Sequence, residues 1–425
     1  MSATITTLDA FMKDNYGPGS KRVQKLLYKD FPFLGYIKKN VGVESGSGRR
    51  LIAPCVYGSA QGLSSGFTPG RTAASATGGN TKSQDWNVVW GEYFAFCDIS
   101  DKLMKLSAGS GSYLDTVALE IDSLYTSWSM TFSKYLLSSS ARNLGSFTES
   151  SGVCTLVNSD DVVNYKIGML VNASANDGSA TGHALLGSGS IGYIIGVNQN
   201  VGTFTVSATD GGSAGTPSGW TGTMYAFRYG DFGGTASPNT VCQGFGDWCP
   251  ASDPSATLYN GVDRTQDIIA LSGVRMTAAE IAGLSLESRI KRLVTRMANR
   301  GFGAPKVVFV NPEKWQDLAD SYEQRAIASD RIGTVGTFGY KAIKVVAGGT
   351  EVDVMTDRFV GPTDVLALGD PDSFTLNTPE EFPAVVKGDG LDMLRKVGSN
   401  DYEHRLGAYP AVMAIPGYLG RTTAP

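Results

Sequence analysis

The stretch VVFVNPEKWQDLADSY (residues 307–322) passes from a continuous apolar run straight into an amphipathic one. Val307, Val308, Phe309 and Val310 are β-branched or aromatic, which predicts a short strand buried on both faces. Asn311 is placed to cap a helix that begins at Pro312, because the first helical position needs no N–H. Trp315, Leu318, Ala319 and Tyr322 then recur at helical spacing. Phosphate sites at strand-to-helix corners use a glycine-rich turn and a basic residue, so that backbone N–H groups reach the anion. An Asn-Pro turn has neither, so this corner reads as part of a scaffold.

Working outward, 425 residues suggest two to four folded units of roughly 100–200 residues each. A net charge of −4 with 42% hydrophobic residues excludes a disordered chain and a wholesale polyanion binder. The N-terminal segment has no apolar core with a cleavage site, and no apolar run approaches a membrane span, which predicts a soluble chain made in the cytosol. The cysteines Cys55, Cys97, Cys154, Cys242 and Cys249 are odd in number and show no CxxC, so they read as buried thiols rather than disulfides or zinc ligands.

Catalytic chemistry finds little support. The chain has only two histidines, and any Ser-His-Asp or Cys-His arrangement must use one of them. His183 lies in the Gly/Ser loop DGSATGHALLGSGSIG, and His404 in the strand-like NDYEHRLGAYP. Neither accompanies a G-x-S-x-G turn. GTVGTFG (333–339) carries spaced glycines, but no G-x-x-x-x-G-K-[ST] occurs, and no cofactor or metal set is evident.

Glycine is over-represented, at 53 residues against a usual share of about 7%. Residues 58–80 (GSAQGLSSGFTPGRTAASATGGN) lie between the extended segments RLIAPCVYG (50–58) and WNVVWGEYFAFCD (86–98). That order predicts a hairpin arm with a long flexible tip, too long to bury both faces within its own domain, so it should lie on a neighbour. YLDTVALEIDSLYTSWSMTFSKYLL (113–137) follows. It puts Leu114, Val117, Ala118, Ile121, Leu124, Tyr125, Trp128, Phe132, Tyr135 and Leu136 on one stripe, over a helix ~35 Å long that Ser112 and Asp115 are placed to cap. The stripe reads as core packing.

Residues 145–235 hold short extended pieces, GVCTLVNS, KIGMLVNAS, SIGYIIGVNQN, VGTFTVSAT and GTMYAFRYG, each ended by turn residues. They predict an inserted antiparallel barrel or sandwich. Beyond it, Thr277 and Glu280 form a capping-box pattern, and SLESRIKRLVTRMANRG (285–301) is a second amphipathic helix with Gly301 as its stop. After residues 307–322 come the extended YKAIKVVAGG, EVDVMTDRF and DVLALGDPDSFTL, and a tyrosine-rich strand or hairpin, DYEHRLGAYPAVMAIPGYLGR, closes the chain.

This order of parts resembles the major capsid proteins of tailed bacteriophages. The stretches that carry the resemblance are YNGVDR (259–264), FGDWCPASDP, FVNPEKW (309–315), GTFGYKAIKVV (336–346), VMTDRF (354–359) with VLALGDPDSFTL (365–376), and GLDMLRK (390–396) followed by DYEHRLGAYPAVMAIPG (401–417). The resemblance implies an α+β fold, the shell fold shared with encapsulins and the herpesvirus capsid floor. Its parts would be an N-terminal arm (1–49), an extended β-hairpin loop (50–98), a peripheral domain with a long spine helix (99–144), an inserted all-β domain (145–235), a return to the peripheral domain (236–259), an axial domain (260–383) and a closing peripheral segment (384–425). It implies no enzyme and no cofactor, but a structural protein assembling into pentamers and hexamers of an icosahedral shell around double-stranded DNA. Scaffolding, decoration and portal proteins would be further partners, with no membrane. The location would be the virion, assembled in host cytoplasm. An encapsulin-like nanocompartment and a soluble α/β enzyme are the rival readings; the large insertion speaks against the first and the missing catalytic set against the second.

Residues 1–50 carry +5 and the remainder −9, with Lys21, Arg22, Lys25, Arg49 and Arg50 among the basic side chains. Pairing with an acidic neighbouring subunit is preferred over contact with packaged DNA, because a shell gripping its DNA everywhere would hinder packaging. Arg71, Lys82, Trp86 and Trp90 join these as candidate intersubunit residues on the hairpin loop. Some shells of this fold carry a lysine-asparagine isopeptide bond, and Lys82 is the one lysine of the loop; a solubilising loop charge is the preferred reading.

Overall fold

The computed structural model describes residues 31–42, 50–76, 80–99, 111–139, 142–178, 183–232, 241–255, 257–328, 343–362, 364–387, 393–396 and 401–422, without the side chains of 111–120, 321–328 and 393. Its helices are α1 (Pro32–Tyr36), α2 (Phe67–Ser75), α3 (Gly111–Leu137), α4 (Phe245–Trp248), α5 (Ile268–Ser272), α6 (Ala278–Ile281), α7 (Leu286–Arg300) and α8 (Pro312–Ala328).

The opening corner organises the largest sheet. β12 (Val307–Val310) has all four residues buried, and α8 follows it with the side chain of Asn311 accepting from Glu313 N at 3.0 Å. The sheet order is β11 (Val274–Met276), β21 (Leu419–Thr422), β15 (Val365–Leu368), β12, β14 (Thr350–Thr356) and β13 (Ile343–Ala347). Because side chains alternate along a strand, Val308 and Val310 face a core closed by Ile290, Leu293, Val294 and Met297 of α7 and by Leu318 of α8. Val307 and Phe309 face a second, larger core. Trp315 packs at the edge of the first core, as its helical spacing predicts.

The second core joins parts distant in sequence. Phe33 of α1 is fully buried against Phe309, Phe245 and Phe374, with ring centroids 5.3, 6.3 and 5.5 Å away. Its backbone N–H donates to Asp357 Oδ2 at 3.3 Å. β1 (Lys38–Val41) then pairs in parallel with β16 (Phe374–Thr378), whose other edge holds β20 (Ala411–Ala414). Residues 31–42, expected in a free arm, are thus built into the body, because PFLGY is an apolar plug. Apart from Arg50, the rest of the basic segment lies outside the described residues.

Four further expectations are corrected. WNVVWGEYFAFCD does not run as one strand: β3 (Lys82–Val89) pairs with β2 (Arg50–Gly58), while β4 (Tyr93–Ile99) leaves the arm and pairs with β19 (Tyr402–Ala408). Gly91 makes the break, since a Cβ there would sit 1.2 Å from the Val241 carbonyl oxygen. The arm's tip contains the nine-residue helix α2 where a flexible connection was expected. DVLALGDPDSFTL splits at Asp370-Pro371 into β15 and β16, which belong to different sheets. The closing stretch gives three strands, β19, β20 and β21, each in a different sheet.

Ser112 lies inside α3, which begins at or before Gly111, so it does not cap that helix. The aromatic stripe is buried as expected, yet Ser129, Thr131 and Ser133 are buried too. Small hydroxyl side chains there let the C-terminal half be enclosed on several sides. Gly301 ends α7 with φ −85°, not a left-handed conformation; it is small because a Cβ would come 2.7 Å from Met297 O. The Thr277–Glu280 box caps α6 as its pattern predicts, and Ser285, not singled out from the sequence, accepts from Ser288 N at the start of α7.

Residues 145–228 form a closed barrel, ordered β10 (Thr223–Arg228), β5 (Gly145–Ser150), β6 (Val153–Leu156), β9 (Thr203–Ser207), β8 (Gly192–Asn198) and β7 (Leu170–Ser174). All six pairings are antiparallel. β5 was not expected, because GSFTES has one apolar residue; Phe147 alone drives it inward, against Phe204 at 5.4 Å and Trp220 at 5.5 Å. Polar contacts fix the barrel to the body. Tyr135 of α3 donates to Asp231 and Arg228 Nη1 to Thr131 Oγ1 at 2.6 Å, while Arg142 Nη2 donates to Cys242 O at 2.6 Å, tying together the two body segments that flank the barrel.

Candidate functional site: an assembly interface

The arm is a two-stranded ribbon with a helical tip. Among the described residues β2 and β3 pair only with each other, in antiparallel register from Arg50↔Val89 to Gly58↔Lys82. One face of the ribbon, formed near its root by Leu51, Ala53, Trp86 and Val88, turns toward the body. The other presents Ile52, Val56 and Val89 to solvent. The apolar residues of RLIAPCVYG fall on both parities, so whichever face docks, the other stays uncovered.

The root is held by a socket that YNGVDR builds. Asn260 and Gly261 both have positive φ, 51° and 86°, which closes a two-residue Asn-Gly turn. Tyr259 and Val262 exchange backbone hydrogen bonds of 3.0 Å across it. Asn260 O then accepts from Asn87 N at 2.8 Å, and its side-chain amide exchanges hydrogen bonds of 2.7 and 2.6 Å with Gln243. Gln84 accepts from Asp263 N at 3.2 Å. Trp86 is 3% exposed and meets Trp248 at 5.0 Å and Tyr259 at 6.2 Å, both edge-on. Arg264 lies 4.1 Å from the Tyr259 ring centroid and donates to Asp247 O at 2.7 Å. Burial holds the Tyr259 hydroxyl well above its ordinary range and lowers Arg264.

At the far end the situation reverses. Leu63 is 83% and Phe67 85% exposed, and α2 buries none of its residues. The loop before α2 closes on it through small residues, with Gly62 against Ala74. The tip is a shaped element that holds its two largest apolar side chains outward.

Of the nine candidate residues, Lys21, Arg22, Lys25 and Arg49 lie outside the described residues. Arg50 is exposed at the start of β2, Arg71 is exposed on α2, and Lys82 is exposed where β3 leaves the tip. Trp86 sits in the chain's own core and offers no surface to a neighbour; tryptophan on the inward parity of a half-docked strand becomes the anchor. Trp90 packs partly buried at the same core. Ile52, Val56, Leu63 and Phe67 were not singled out from the sequence. The available signal was apolar residues in a glycine-serine stretch that otherwise reads as polar.

His404 is buried in β19, with its ring 6.5 Å from that of Tyr125. Burial pushes the Cys242 thiol up to about 12 and Cys249 to about 11, and raises Cys154 further. Cys97, Cys154, Cys242 and Cys249 are buried as expected, while Cys55 on the arm is half-buried. Among the described residues no group of three or more His, Cys, Asp and Glu is placed to hold a metal ion, and no helix is long and apolar enough to cross a membrane.

No known sequence family and no curated protein matches the chain. Solved structures do. A chain of the cyanophage A-1(L) capsid asymmetric unit superposes with a TM-score of 0.51 at 10% identity, covering 92% of each chain. A Gordonia phage Cozz structure covers 93% of this chain and 87% of its own, at 9% identity and a TM-score of 0.41. The chain has the fold of tailed-phage major capsid proteins.

Proposed function

We propose that this chain is the major capsid protein of a tailed phage, a structural protein that assembles into pentamers and hexamers of an icosahedral shell around double-stranded DNA. The observation that carries the reading is the arm: welded to the body at Trp86, it holds Leu63 and Phe67 out in water on a helix with no buried residue. Burying each such side chain stabilises by roughly 1.5–3 kcal/mol, so a neighbouring subunit under the tip gains what the isolated chain forgoes. The six-stranded sheet with α7 and α8 would be the axial domain, drawing its β21 from the closing segment. The long helix, the β4–β19 sheet and the 31–42 plug would form the peripheral domain, and the barrel would be the inserted domain.

The location would be the virion, with assembly in host cytoplasm and scaffolding, decoration and portal proteins as partners. Lys82 would serve as an exposed loop charge, giving a single monomer band on denaturing gels of assembled particles. Electron microscopy of the expressed chain tests the reading. Closed shells or ring-shaped capsomers, with nuclease-protected DNA in native particles, are expected. A stable monomer under all conditions, or shells that hold protein cargo and no DNA, would overturn it.

A further inference from the structure

The axial half of the chain carries two opposed rows of charge that the fold itself uses only in part. α7 and α8 pack side by side over the same face of the six-stranded sheet. On α7, Arg292, Arg296 and Arg300 recur every four residues, ~6 Å apart along the axis. They line an open groove of about 480 Å³, with Met276 of the edge strand β11, Glu280 of α6 and Asn299. Arg296 is spent on Glu280, its two Nη groups each 2.8 Å from a carboxylate oxygen. Arg292 and Arg300 are exposed, with no acidic partner among the described residues.

α8 follows β12, which lies three places across the sheet from β11. Its exposed side carries Glu313, Asp317 and Asp320 at spacings of four and three, ~10 Å in all against ~12 Å for the arginine row. Lys314 engages Asp317 at 3.0 Å, while Glu313 and Asp320 have no basic partner among the described residues.

Resting on the shell reading above, we infer that the α7 arginine row docks on the α8 carboxylate row of the next copy of the chain, head to tail around a capsomer ring. Two distinct patches on one chain make a heterologous contact, which closes into a ring when the rotation between copies allows it. A second copy fits better than nucleic acid because the acidic row lies in the same layer as the basic one. A phosphate backbone laid across α7 would run onto the carboxylates of α8, whereas a neighbouring subunit meets each row with the opposite charge. Each exposed ion pair is weak, and repetition around the ring adds them without any single contact becoming irreversible.

The test swaps the rows. Arg292→Glu with Arg300→Glu, and separately Glu313→Lys with Asp320→Lys, puts like charges at every contact. Each chain is expected to keep the parent's thermal midpoint and to lose ring and shell assembly in sedimentation. The chain with all four substitutions restores opposite charges and is expected to assemble again. An equimolar mixture of the two partial variants is expected to recover six-membered rings and not five-membered ones, since only an even ring alternates. If a charge reversal misfolds, Arg292→Gln with Arg300→Gln substitutes for it, with slower and less salt-sensitive assembly expected. Normal assembly of the partial variants would overturn the inference. So would a folded four-substitution chain that stays unassembled, or normal shells from Arg292→Glu/Arg300→Glu that have lost only their DNA. A parent chain that never assembles would overturn the shell reading as well.

Discussion

The arm and the barrel are both antiparallel β structure with glycine-rich turns, and they solve the edge problem in opposite ways. The barrel joins β10 to both β5 and β7, so its sheet closes, and Phe147, Phe204, Trp220 and Met224 are buried in its own interior. Among the described residues the arm stops at two strands and stays open. An isolated two-stranded ribbon is marginal in water at best, and open edges invite another chain. Closure makes the barrel self-sufficient. The arm packs on the body along one face of β2, through Leu51, Cys55 and Tyr57, while its tip leaves Leu63 and Phe67 exposed.

The largest effect should come from cutting the root. Trp86→Ala is expected to lower the stability of the folded chain by about 3–5 kcal/mol, seen as a fall in the denaturant midpoint. A shift under about 1 kcal/mol would mean that arm and body are not welded there.

Thiol chemistry sharpens the same contrast. Cys154 is fully buried in the barrel with its pKa raised by burial, while Cys55 is half-buried on the arm. A maleimide probe is expected to modify Cys55 in the unassembled native chain well before Cys154. Equal labelling rates would remove the distinction between an open arm and a closed barrel.

A smaller effect is expected at Glu280, whose carboxyl Arg296 holds at about 2 against an ordinary 4.5. The folded value is depressed, so the pair's contribution is complete above the ordinary value and fades as pH falls toward 2. The pair is partly exposed, which limits the loss on Glu280→Gln to under about 1 kcal/mol at neutral pH. The variant's stability should converge with the parent's in acid; a constant gap down to pH 2 would contradict it.

The smallest effect on the fold, and the largest on assembly, belongs to the tip. Leu63→Ser with Phe67→Ser should leave the unfolding midpoint of the monomer within about 0.5 kcal/mol of the parent, since neither side chain is packed. The same variant should fail to form shells. Loss of monomer stability would show that the tip serves its own chain.

Much of this was legible in the sequence. The strand-cap-helix corner, the long helix, α7 and the inserted β region carry strong local signals in their apolar period, and at Asn311 the cap residue agrees with it. What was hidden depended on distant partners. GSFTES is too polar to read as a strand, but its hydrogen bonds to β6 and β10 come from elsewhere in the chain. Nothing local distinguishes Trp86 as an anchor from Trp86 as a surface patch; the Trp248–Tyr259 socket decides it. The closing stretch looked like one hairpin because sheet membership is a property of the assembled body. At the tip, composition suggested flexibility, whereas Phe67–Ser75 form a helix that the preceding loop approaches closely at Gly62.

The most direct measurement places a photo-crosslinking amino acid at position 67 and assembles an equal mixture of light and isotope-heavy chains. Cross-linked peptides read by mass spectrometry should contain light–heavy pairs in quantity, the result expected of a tip that rests on another copy. Cross-links confined to light–light and heavy–heavy pairs would show the tip folding back on its own chain, and would contradict the account.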